Sequence, residues 1–78
     1  MELWVRDGDR VVKIQGSLRA ISERILEEFK ESPEILAFTG TKRERRRFKR
    51  ELRCAGRDLL KAAENYLNWY RSCKRLFS

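Results

Sequence analysis

The residues with the clearest chemical potential are eight Lys and Arg side chains in the twelve positions from Lys42 to Arg53, opposed only by Glu44 and Glu51. The chain carries +7, and this stretch alone carries +6. Met1–Thr41 is acidic at −2, and Cys54–Ser78 is basic at +3. At helical spacing Arg43, Arg46, Arg50, Arg53, Arg57 and Lys61 form one ridge, which continues past Glu64 and Asn68 to Arg71 and Arg75. Arginine presents planar, paired donors that match phosphate oxygens, so such a ridge suits a nucleic-acid backbone. The expected contact set is Arg43, Arg46, Arg47, Lys49, Arg50, Arg53 and Arg57, with DNA ahead of RNA as partner, and Trp4 is read either as a covered residue or as an exposed aromatic contact.

A charged helix face is most often simply solvated, and Glu23, Glu27, Glu28 and Glu31 could reach across to neutralise part of this one. Two features weigh against that. The cations of Lys42–Arg47 sit where a helix N-terminus already carries positive partial charge, and a purely structural helix prefers acids there. Only two acids lie inside the cluster, too few to pair its members. The alternative function is a protein-interaction module or small regulator that docks on an acidic protein.

Tyr66, Trp69 and Tyr70 are of a type that stacks on unpaired bases. Tyr66 and Trp69, however, share an apolar stripe and are expected in the core or in a dimer interface. Catalysis has little support: histidine is absent, there is no Gly-rich phosphate loop, and no Cys-x-x-Cys or other metal-ligand cluster appears. The expectation is a non-enzyme without metal or cofactor. Cys54 and Cys73 stand nineteen residues apart in one helical pattern, roughly 28 Å at about 1.5 Å per residue, and so are read as free thiols.

The elements that must position these side chains form one small α+β domain over residues 1–78. Residues 1–15 read as a β-hairpin turning at Asp7-Gly8, which sets Leu3 opposite Val12 and Glu2 opposite Lys13 and collects Met1, Leu3, Val5, Val12 and Ile14 on a core face. Ser17 caps a helix over 17–31 with Leu18, Ile21, Ile25 and Phe29 on its apolar side. Ser32-Pro33 opens a short helical turn over 33–39. Thr41 and Glu44 form a capping box that starts a long helix over 41–77.

The stripe Phe48, Leu52, Ala55, Leu59, Ala62, Tyr66, Trp69, Cys73 and Leu76 runs through that helix, flanked by Leu60, Ala63, Leu67, Tyr70 and Phe77. A continuous helix is favoured over a break near Gly56, because the pattern crosses the glycine undisturbed. A helix of roughly 54 Å outruns its partners, so a homodimer through its C-terminal part is expected. No apolar run spans a bilayer and the charged start is unlike a signal peptide, which with free thiols reads as cytoplasmic and not membrane-bound. Scarce Asn and Gln beside abundant Lys, Arg and Glu also match thermophilic composition.

Overall fold

The amino-terminal hairpin pairs β1 (Glu2–Asp7) with β2 (Arg10–Gln15) in antiparallel register. In the computed structural model, which describes residues 1–77 and the side chains of residues 1–74, Leu3 lies opposite Ile14 and Val5 opposite Val12. The sequence-based register is therefore two residues out. The turn residues are Gly8-Asp9, with Gly8 at φ +64 and no positive φ at Asp9, the type II′ pattern, in place of a type I′ Asp7-Gly8. Because side chains alternate with period two, a two-residue shift leaves every side chain on its expected face. Leu3, Val5 and Ile14 are completely buried, and Trp4, Val11 and Lys13 lie on the other face.

Ser17 caps α1 (Leu18–Glu28), its hydroxyl accepting from the Ala20 amide at 3.1 Å. The helix stops three residues before the expected end, where Phe29 turns extended and drops its ring into the core. Residues 33–39 are not a helical turn. Glu34–Thr39 form β3, antiparallel to the free edge of β1, and complete a sheet ordered β2-β1-β3. Trp4 faces Ala37 but Val5 faces Ile35, so Leu36 is an extra residue in a β-bulge. The bulge brings Ile35 and Phe38, three apart, onto one face of a strand. That spacing mimics a helix in sequence. Ser32 caps elsewhere: its hydroxyl donates to Asp58 and accepts from the Leu60 amide at 3.2 Å.

The long helix is also divided. α2 (Lys42–Cys54) ends at Ala55, and α3 (Leu59–Phe77) begins four residues later. The stop is a Schellman arrangement: the Arg57 amide donates to the Leu52 carbonyl at 2.7 Å and the Gly56 amide to the Arg53 carbonyl at 3.3 Å. Gly56 has φ +63, the left-handed conformation that glycine adopts without penalty. Asp58 then caps α3, its carboxylate accepting from the Lys61 amide at 3.2 Å and its carbonyl from the Ala62 amide at 2.9 Å. The Ser32 hydroxyl and the α3 amides hold the Asp58 carboxyl below its usual pKa.

The break lets α3 return along α1, its main contact, with a smaller one to α2. Leu3, Val5, Ile14, Ile21, Ile25, Phe29, Phe48, Leu59 and Ala63 form one core, and Phe38 meets Phe48 edge to face at 4.8 Å. Leu59, Ala62, Ala63 and Leu67 are thus covered within one chain, which removes the length argument for a second copy. Leu76, Phe77 and Arg75, placed in the sequence on the stripe, beside it and on the ridge, lie outside the described side chains. Among the described residues no helix is long and apolar enough to cross a membrane.

Candidate nucleic-acid interface

Thr41 and Glu44 start α2 as the sequence predicts: the Glu44 amide donates to the Thr41 hydroxyl at 3.1 Å, and the Thr41 amide to the Glu44 carboxylate at 3.0 Å. That backbone bond, helped by the Thr41 hydroxyl and the Met1 ammonium 3.3 Å away, lowers the Glu44 pKa although partial burial opposes it. Phe48 and Leu52 pin the opposite side of the helix to the core. At about 100° per residue, Arg47, Arg43, Arg50, Arg46, Arg53 and Lys49 then fan across about 160° of the outward side. The sequence fixes this fan because apolar residues occupy only the remaining arc.

Arg43, Arg46, Lys49, Arg50, Arg53 and Arg57 are all exposed. Among the described residues six ion pairs form, and of the expected contact set only Arg47 takes part in one. No described ion pair joins an acid of α1 to a cation of α2; Glu28 pairs with Arg24 of its own helix at 2.8 Å. The ridge does not run on to Lys61 as one line, since the turn at residues 55–58 redirects the chain. Arg57 sits in that turn at φ +66 and joins Lys49, Arg53, Ile35 and Leu52 in lining a groove of about 470 Å³.

Arg47 has a different setting. Its guanidinium is half-buried, bonds the Glu51 carboxylate at 2.9 Å and lies 3.9 Å from the centre of the Trp69 ring and 5.6 Å from that of Tyr66. Trp69 is not a core residue: 46% of it is exposed. Tyr66 lies 5.7 Å from Trp69 and 6.4 Å from Tyr70, centre to centre, and Arg19 stands 5.5 Å from the Tyr70 ring. Burial raises the Tyr66 pKa against the opposing influence of Arg47, so the phenol stays neutral.

Trp4 is not brought to the ridge. It lies on the sheet face turned away from the core, half-covered, with the Lys13 ammonium 5.5 Å from its ring. Sequence reading missed the Arg47–Trp69 contact. Its signal was Gly56 followed two residues later by Asp58, a helix stop and a helix start that fold α3 against α2. Cys54 is exposed and Cys73 partly covered, both as free thiols.

A protein of Aquifex aeolicus (strain VF5), described only as an uncharacterized protein, is 42% identical to this chain over 71 residues, covering 90% of this chain. The chain spans 56% of that relative's length. No family model matches the chain, and no solved structure matches it.

Proposed function

We propose that this chain binds nucleic acid, with DNA ahead of RNA, by holding phosphates along the outward face of α2. The observation that carries this reading is that Arg43, Arg46, Lys49, Arg50 and Arg53 share one exposed helix face without an ion-pair partner among the described residues. Such a concentration of like charge is unfavourable in the free protein and is relieved when a polyanion releases its counterions on binding. The contacts go to the backbone, so binding is weakly selective for sequence.

Anisotropy titrations of labelled duplex DNA, single-stranded DNA and RNA at several salt concentrations test the proposal. Affinity is expected to fall steeply with salt. Replacing Arg46, Arg50 and Arg53 together with Ala should lower the log–log salt slope by roughly two to three, given about 0.9 per phosphate contact on duplex DNA. An unchanged slope would remove this contact assignment.

The groove of Ile35, Leu52, Lys49, Arg53 and Arg57 supports a second reading, since apolar side chains beside three cations also suit an acidic protein segment. Under that reading the chain binds one acidic protein tightly and no nucleic acid even at low salt.

A further inference from the structure

Two concavities adjoin on the α3 side of the basic face. One, of about 410 Å³, lies between the capped starts of α1 and α2, with Arg43 and Arg47 on its wall and Tyr66 and Trp69 at its far side. The other, of about 400 Å³, continues along α3 past Tyr70 to Lys74. Tyr66 and Trp69 border both, so the two form one trough with an aromatic step in the middle.

The charge of the trough is cationic. Arg43, Arg47 and Lys74 border it, Arg47 being offset by its pair with Glu51, and Arg19 lies against Tyr70. Glu44 is the acid on its wall, and that carboxylate is already engaged by the Thr41 amide and the Met1 ammonium. The two helix starts add positive partial charge at the same end. Trp69 is held from one side by Arg47 at 3.9 Å, yet nearly half of the residue stays in solvent. An exposed, clamped tryptophan between cations offers a π-face to a flat partner and donors to an anion at once.

We infer that this trough holds a single-stranded nucleic acid, with a base stacked on Trp69 and the neighbouring phosphates on Arg43 and Lys74. The inference rests on the nucleic-acid reading above and narrows it, because bases inside a duplex are stacked on each other and offer no face to an aromatic side chain, whereas single strands do. The fan of arginines on α2 would then carry the strand to and from the trough.

The test uses the full chain with Trp4→Phe, which leaves Trp69 as its one tryptophan. Oligo(dT) of about twenty nucleotides should quench Trp69 fluorescence, and the matched duplex should quench it far less. Trp69→Ala should weaken oligo(dT) binding by about 5- to 100-fold and lower the ratio of single-strand to duplex affinity, while Trp69→Phe should retain most of the binding. Arg46→Ala with Arg50→Ala, outside the trough, should weaken both forms in parallel.

Duplex binding with no quenching of Trp69 and an unaltered ratio in Trp69→Ala would overturn this inference and leave the phosphate-binding reading standing. No binding of any nucleic acid at low salt would overturn both. A light-scattering mass that halves in Trp69→Ala, with oligo(dT) affinity unchanged, would assign the patch to contact between copies of this chain and sink the inference. The quenching measurement keeps Trp69 in place, so it decides even if the alanine variant folds poorly.

Discussion

Arg47 shows how one side chain can be taken out of a charged surface by its neighbours. It lies on the same helix and in the same run as Arg45 and Arg46, but Glu51 one turn later and Trp69 across the helix interface hold its guanidinium in a fixed place. Replacing Arg47 with Ala should cost about 1 to 2 kcal/mol of stability, through the lost cation–π contact and packing, whereas Arg46→Ala should change the unfolding free energy by less than about 0.5 kcal/mol. Urea denaturation of the two variants checks this, and equal effects would contradict the division of roles. The Thr41 cap is a second residue-scale case. Thr41→Ala should cost about 1 kcal/mol. The Glu44 carboxyl, with its pKa depressed in the fold, contributes stability that is present above its ordinary pKa and lost as pH falls through the folded value. Glu44→Gln should therefore flatten the acid limb of a stability–pH curve, and an unaltered limb would remove Glu44 as its source.

Among the elements, the turn between α2 and α3 decides the architecture. A Cβ at Gly56 would meet nothing within 4 Å, so Gly56→Ala tests the left-handed conformation alone. It should cost about 1 to 2 kcal/mol, read as a lowered denaturation midpoint with unchanged helix content. Loss of that penalty would mean the turn relaxes to another geometry. This turn also marks where the sequence could be read and where it could not. Caps were legible because Ser17, Thr41 and Glu44 act on amides three residues away, and the hairpin's core face was legible because alternation survives a two-residue slip. β3 was not, because its bulge places Ile35 and Phe38 at helical spacing. The α2–α3 break was hidden by a heptad pattern that continues through a place where the chain reverses: Ala55, Leu59 and Ala62 are buried on both sides of the turn, so the stripe reads as unbroken. Of the candidate site, the arginine fan was legible from α2 alone, while the Arg47–Trp69 contact depends on the break and could not be seen without it.

At the scale of the whole molecule, charge is unevenly spread: +6 of the net +7 lies on Lys42–Arg53, which forms most of α2. Self-repulsion there should make the free protein more stable as ionic strength rises from about 0.02 to 0.15 M, as screening shortens the Debye length to about 8 Å. A protein held mainly by surface ion pairs would show the opposite sign. Thermal midpoints in a chloride series check this, and a falling midpoint would show that attraction between charges outweighs repulsion. The order β2-β1-β3 has a further consequence, this one for synthesis on the ribosome. The first strand made becomes the middle strand of the sheet, and the core over Leu3, Val5 and Ile14 is closed by Leu59 and Ala63 from the last helix. An emerging chain can close its hairpin early and lay Ile21, Ile25 and Phe48 on it, but the core stays incomplete until α3 has left the exit tunnel. Completion of the fold therefore waits for α3, and a nascent fragment that stops after α2 carries an incompletely covered core.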